Sequence, residues 1–347
     1  MNVDGARDVI RRAIEARVFP TAAVDVGASR GSLWREGFEA AGDTVFDLAS
    51  LTKPIATTSV AMQLVYEDRL RLDDPVTAFL DEWRGADREA VTVQDLLEHA
   101  SGLAARLVDT PPRGRREFEH DICTMPLEYA PRTMSIYSDL GFMLLGFLLA
   151  NRGATLASQF EGIRARLAAV EPEIASAPFA FALDDDARHQ AAATRPIGED
   201  VRRGRLLKGE VHDNYAAALG GVGGHAGLFG TAASVGAFGR AVLRSARGDA
   251  SIPPPISPAL LARAVTKSRV RGSSRALGWD TMLPTASCGT RMSPSAFGHV
   301  GFTGTSLWID PMRDRYFAFL TNRACDGGTL DEMRDVRRAF HDSLAET

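Results

Sequence analysis

Ser50 and Lys53 stand three residues apart, which on a helix puts a hydroxyl and an amine on one face. A serine hydroxyl is a poor nucleophile until a neighbour takes its proton. A lysine partly buried beside other positive groups can have its pKa lowered enough to help. The chain holds three lysines, Lys53, Lys208 and Lys267, and this is its only S-x-x-K. The plainer reading is a serine N-cap followed by a solvated lysine. Tyr137-Ser138-Asp139 adds a phenol that, near a lysine, can act as general base toward Ser50 and general acid toward a leaving group. Its plainer reading is a core tyrosine with Ser138 as an N-cap. A third cluster, residues 297–306, would set His299 and a run of small residues along the rim of a cleft, or be simply a glycine-bearing edge strand.

The elements that must position these groups follow from pattern. Thr44, Val45 and Phe46 suit a strand, and Pro54 is tolerated only in a helix's first turn. Ser50 is therefore expected at or just before the N-terminus of a helix running from Pro54 to about Arg69. There, unpaired N–H groups and the macrodipole favour developing negative charge.

Before it, Val3 to Val18 read as an amphipathic helix, and residues 21–27 and 32–39 as a hairpin. After it, Thr92 caps a helix to His99, segment 106–135 reads as irregular, and Ser138 caps a helix to about Asn151. A further helix covers about 154–170, and 171–215 read as loops. The glycine-rich run 220–227 lacks phosphate-loop spacing and reads as close backbone packing beside a cleft. Thr231 caps a helix to about Arg247, residues 304–310 and 315–322 form two strands, and a last helix runs from Leu330 to Leu344. Strands joined by hairpins imply an antiparallel sheet flanked by terminal helices, an α/β (α+β) fold with a large, mainly helical insertion. The expected division is a lobe from 1–58 and 216–347, a helical lobe from 59–215, and a site in the cleft between them.

At 347 residues, with 45% apolar and 24% charged content, the chain can bury a large core. A net charge of −4 without a basic stripe argues against nucleic acid. Cys123, Cys288 and Cys325 make neither a metal spacing nor a disulfide framework. His212 and His225 lie thirteen positions apart without a second paired ligand, so no metal or other cofactor is expected. The polar N-terminus and the short apolar run 142–150 point to a chain without a membrane span, expected in the cytoplasm, or in the periplasm if a leader has been removed.

In this order, S-x-x-K, Y-S-D and H-x-G on a late strand resemble the serine β-lactamase and penicillin-binding-protein family. The nearest branch is the class C-like one, which includes D-alanyl-D-alanine carboxypeptidases and esterases. Residues 72–76, 92–103, 224–232 and 305–311 are also similar to stretches of that family. The resemblance implies a β-lactamase/transpeptidase-like fold and an acyl-enzyme on Ser50, with proton traffic shared by Lys53 and Tyr137. It implies an oxyanion hole from the N–H groups of Ser50 and Phe302, and a role for His299 in orienting Tyr137 or a substrate carboxylate. Gly301 and His225 would line the substrate site.

Departures bear on the substrate. Asp139 stands where penicillin-recognising members carry asparagine; an ionised carboxylate cannot donate a hydrogen bond and would repel an anion. His299-Val300-Gly301 replaces a lysine-threonine-glycine box, and Arg132 follows Pro131 where glycine is expected. The resulting expectation is a serine hydrolase of a small ester, amide or D-amino-acid peptide. A β-lactamase and a non-catalytic penicillin-binding or sensor module are the alternatives.

Overall fold

The computed structural model describes residues 1–107, 112–198 and 200–344. Helix α1 (Val3–Glu15) is capped by the Asn2 side chain, which accepts from the Gly5 N–H, and it buries Ala6, Ile10 and Ala13. Strands β1 (Ala22–Ala28) and β2 (Gly31–Phe38) form the expected hairpin, with a register shift at Val26/Gly27. Gly27 is required there, because a Cβ would meet the Gly31 carbonyl oxygen and the Tyr316 hydroxyl, each at 2.5 Å.

Short strand β3 (Phe46–Asp47) leads into a 3-10 turn, Ala49–Leu51, then a π-helical turn, Lys53–Thr58, and only then α2 (Ser59–Tyr66). The single regular helix expected from Pro54 to Arg69 is therefore replaced by a wider first turn and an earlier end. Pro54 contributes no N–H to a regular ladder, and a π turn is a form often found at functional sites.

Helices α3 (Val93–Leu97), α4 (Arg115–Thr124), α5 (Asp139–Ala150), α6 (Leu156–Ala168) and α7 (Glu173–Ser176) follow. A Thr92/Asp95 capping box opens α3, which stops two residues before His99, itself in the left-handed region at φ 56°. The segment expected to be irregular contains α4, a helix with a buried stripe of Phe118, Ile122 and Cys123 amid charged neighbours that diluted its periodicity. The Ser138 cap of α5 is as expected, its hydroxyl accepting from the Gly141 N–H.

Next come β4 (Phe179–Ala180), α8 (Asp185–His189), α9 (Asn214–Ala218), β5 (Phe229–Gly230), α10 (Ala232–Ala246) and α11 (Pro258–Ala264). The chain closes with β6 (Asp280–Thr281), β7 (Phe297–Val300), β8 (Ser306–Asp310), β9 (Arg315–Thr321) and α12 (Leu330–Leu344).

The main sheet is antiparallel, in the order β2-β1-β9-β8-β7-β6, with Ala22 opposite Thr321. On one face, Ile10, Trp34, Phe319 and Phe340 pack together under α1 and α12. On the other, α10 crosses the sheet, and one apolar core continues through α2, α5 and α6. A second sheet of three short strands, β3-β5-β4, ties the Ser50 turn to the glycine-rich segment. That segment packs as expected: a Cβ on Gly224 would lie 2.0 Å from the Phe142 carbonyl oxygen. Among the described residues, no helix is long and apolar enough to cross a membrane.

Candidate active site

The turn carrying Ser50 is held from several sides. Ala49 sits at φ 47°, strained for a residue with a side chain, and its N–H donates to Asp47 Oδ1 at 2.8 Å. Thr303 Oγ1 donates to the Asp47 carbonyl at 2.7 Å, and Thr305 Oγ1 to the Leu48 carbonyl at 3.0 Å. Gly301 passes so close that a Cβ would meet Thr305 Oγ1 at 2.1 Å and the Leu48 carbonyl oxygen at 2.7 Å. The backbone at 301–302 thus lies against the Ser50 turn. Gly301→Ala is expected to cost about 1–3 kcal/mol through overpacking, read as a lowered Tm; an unchanged Tm would show the contact to be slack.

Lys53 is fully buried, and its Nζ reaches Ser50 Oγ at 2.9 Å, Asp139 Oδ1 at 2.8 Å and the His225 carbonyl at 3.0 Å. Three acceptors match the three N–H donors of an ammonium. Burial, the largest single influence, would lower its pKa, but the Asp139 carboxylate and Tyr137 together outweigh it and the net shift is upward. This corrects the expectation of a lysine with a lowered pKa: its nearest charged partner is a carboxylate brought from 86 residues away.

Tyr137 presents its ring to the same amine, with Nζ 4.7 Å from the ring centroid. Burial pushes the phenol's pKa upward overall, opposed by the Lys53 charge and by hydrogen bonding with Lys53 and Ser50. Around it stand the rings of His99 at 4.6 Å and His299 at 5.9 Å between centroids, and the Arg275 guanidinium at 5.0 Å. Burial, with Lys53 and Arg275 nearby, pushes His299 well below its usual value, so it is a neutral ring. Its Nδ1 faces the Val300 carbonyl at 2.8 Å, and it supplies no positive charge.

Asp139 does not stand as a bare anion. Burial would raise its pKa, yet Lys53 and His225 draw it down despite Asp213. Arg106 Nη1 donates to Asp139 Oδ2 at 2.9 Å and to Asp213 Oδ2 at 3.0 Å, while its guanidinium lies 4.1 Å from the Tyr215 ring centroid. His225 Nε2 lies 2.8 Å from Asp213 Oδ1. A continuous chain therefore runs Lys53–Asp139–Arg106–Asp213–His225. Asp139 thus has two cationic partners, Lys53 and an Arg106 that it shares with Asp213.

Ser50, Tyr137, Asp139, Arg106, Asp213, His225, Arg275 and His299 line one cavity of about 380 Å3, which also includes Phe302 and Arg337. Phe302 is half-exposed, its ring stacked on His212 at 5.4 Å, and Arg323 Nε donates to its carbonyl at 3.0 Å. His212 Nε2 lies 3.1 Å from the Arg195 carbonyl. Arg337 donates to the carbonyls of Gly301 at 2.8 Å and Thr305 at 2.9 Å, and among the described residues no carboxylate pairs with it. Burial, together with the charge of Arg323, pushes Arg337 down to about 9.

The cavity thus gathers the candidate site residues Ser50, Tyr137, Asp139, His225, His299, Gly301 and Phe302, with Lys53 buried behind Ser50. It adds Arg106, Asp213, Arg275 and Arg337, which sequence reading missed. Asp213 belongs to no motif of its own, and the three arginines sit among many others without one.

The model of the Beta-lactamase family matches residues 6–341. An Escherichia coli K12 protein, provisionally named a D-alanyl-D-alanine carboxypeptidase, is 29% identical over 322 residues, covering 84% of this chain and 72% of its own. An N-acetylmuramyl-L-alanine amidase of Bacillus subtilis strain 168 is 29% identical over 313 residues, covering 81% and 68%. A class C beta-lactamase from Rhodobacter sphaeroides superposes with a TM-score of 0.75 at 18% identity, covering 98% of both chains, a likeness of fold. With a family model spanning nearly its whole length, the chain belongs to the Beta-lactamase family, a family of hydrolases.

Proposed function

We propose that the chain is a serine hydrolase that cleaves a small amide, peptide or ester bearing a carboxylate, through an acyl-enzyme on Ser50. The observation that carries this reading is the contact of Ser50 Oγ with the buried Lys53 amine at 2.9 Å, beside Tyr137 in an open cavity. From the form in which Tyr137 has given up its own proton to solvent, which the Lys53 charge favours, Ser50 Oγ attacks the substrate carbonyl while its proton passes to the Tyr137 phenolate oxygen. The C–N or C–O bond then breaks, the leaving group takes that proton, and water releases the acyl group by the reverse relay. With Lys53 held as an ammonium by Asp139, its part is to stabilise the negative charge that develops on Ser50 and Tyr137. The N–H groups of Ser50 and Phe302 would receive the oxyanion.

Arg337 on the cavity wall supports a carboxylate-bearing substrate, whereas Arg275 is already paired with Asp280 at 2.8 Å. Arg337 has no carboxylate partner among the described residues, and an unpaired buried guanidinium favours an anion. The names of the two relatives, a carboxypeptidase and an amidase acting on alanine-bearing compounds, are consistent with such a substrate. Efficient β-lactam turnover is disfavoured, since Asp139 is spent on Lys53 and Arg106 and offers no amide donor.

Intact-protein mass spectrometry after a fluorophosphonate, and separately after benzylpenicillin, tests this. A fluorophosphonate adduct on the wild type, absent from Ser50→Ala, is the expected result, with no lasting penicillin adduct. A stable penicillin adduct would favour a penicillin-binding peptidase, and rapid penicillin hydrolysis a β-lactamase. No adduct with either reagent would favour the non-catalytic module.

A further inference from the structure

A second cavity, about 650 Å3, is the larger of the two and shares no lining residue with the first. Its lining mixes charges unevenly. Buried Asp95 is bonded from within, taking the Thr92 N–H at 2.8 Å, the Thr92 hydroxyl at 2.9 Å and Arg132 Nη1 at 2.9 Å. Buried Glu98 takes Gln94 Nε2 at 2.7 Å and the Ser268 hydroxyl. Asp73 is held by Arg71 at 2.8 Å, with Arg263 adding a smaller attraction.

The exposed cations Arg263, Lys267 and Arg269 line the same cavity, and among the described residues no carboxylate forms an ion pair with them. Asp95 and Glu98 are thus buried and satisfied and the exposed Asp73 is held by Arg71, while Arg263, Lys267 and Arg269 face solvent without an ion-pair partner among the described residues, on a chain whose net charge is −4. A concave surface of this kind concentrates anions.

Lys267 and Arg269 flank Ser268, and Ser268 reaches toward Tyr137 by two routes. Its N–H donates to the Arg275 carbonyl at 2.7 Å, and Arg275 lies over the Tyr137 ring. Its hydroxyl donates to Glu98, whose neighbour His99 packs on Tyr137 and accepts the Ser138 N–H at 3.0 Å. The cavity and the candidate active site therefore share a wall, with Tyr137 on its far side.

We infer that this cavity is a second binding site, for a small molecule carrying two or more phosphate or carboxylate groups, and that its occupancy alters the reactivity of Ser50 through Ser268. The coupling half rests on the proposed role of Ser50; the binding half does not.

Calorimetric titration at low salt with tripolyphosphate, and separately with citrate, tests the binding. Protein already blocked at Ser50 by the fluorophosphonate is used alongside free protein, so that binding in the catalytic cavity is excluded. Saturable binding is expected, weakened roughly tenfold or more in Lys267→Ala/Arg269→Ala and by added salt. Preference for one anion over the other separates a phosphate from a carboxylate source. In the wild type, the saturating anion is expected to change the rate of fluorophosphonate labelling at least severalfold. In the double variant, whose basal rate should be normal, it should change nothing.

Absence of saturable binding by both anions, or binding undiminished in the double variant, overturns the inference. Binding with an unaltered labelling rate overturns the coupling. If Ser50 is never labelled, the hydrolase reading fails, and the titration still decides whether the site exists.

Discussion

Replacement of Lys53 by methionine is expected to lower kcat/KM about a thousandfold or more, with the fold intact by circular dichroism. Methionine fills a similar volume in the fully buried site, and Asp139 keeps Arg106 as a partner, so no carboxylate is orphaned. What disappears is the donor 2.9 Å from Ser50 Oγ and the positive charge beside Tyr137. Steady-state rates and the rate of fluorophosphonate labelling should fall together. Activity within tenfold of the wild type would dismiss Lys53 from the mechanism. Asp139→Asn separates the two roles a lysine can play. An amine acting as base would titrate more easily without its carboxylate, and the rate would rise at neutral pH. An ammonium acting as charge stabiliser would be weakened, and the rate would fall. The upward shift at Lys53 favours the fall.

The second large effect is expected at Asp47, which touches neither cavity. Its carboxylate takes the Ala49 N–H at 2.8 Å and the His212 N–H at 2.6 Å, so it clamps the strained turn before Ser50 to the ring that stacks on Phe302. Complete burial raises its pKa from the ordinary 3.8 to about 6; Asp213 adds to the rise, and the two N–H donors and Arg202 oppose it. Only the ionised form offers both oxygens as acceptors, so kcat/KM is expected to fall as pH drops through about 6. Asp47→Asn should lose about a hundredfold at pH 8 and lack that limb.

Stability should run the other way. The folded state takes up this proton before the unfolded one does, so the group's contribution is full below pH 3.8 and is lost as pH rises through about 6. The difference is about 3 kcal/mol, and it should be missing from the pH dependence of melting in Asp47→Asn. A limb near pH 6 that survives in the variant would assign the titration to another group.

How much of this was legible in the sequence depends on distance along the chain. Ser50 and Lys53 are neighbours on one turn, and the caps at Thr92, Ser138 and Thr231 are fixed by residues three positions on, so local chemistry revealed them. The hairpins and the antiparallel sheet followed from alternation and turn residues, and the resemblance of the motifs supplied the fold they belong to. The charge state of Lys53 was not legible, because it is set by Asp139, 86 residues away. Arg106 was hidden for the same reason: its two carboxylates lie 33 and 107 residues further on. The π turn at Lys53–Thr58 and the helix Arg115–Thr124 escaped because periodicity distinguishes poorly between kinds of helical turn and weakens where charges crowd a short stripe.

The contact between the Ser50 turn and the segment Gly301–Thr305 spans some 250 residues of chain, as in the bonds from Thr303 to Asp47 and from Thr305 to Leu48. Strand β1 likewise waits for β9, with Ala22 opposite Thr321. During synthesis from the N-terminus, Ser50 and Lys53 therefore leave the ribosome long before the residues that shape their surroundings. A nascent chain that ends before residue 300 carries Ser50 and Lys53 without this support, and fluorophosphonate labelling of Ser50 is expected only once the segment Gly301–Thr305 has been made.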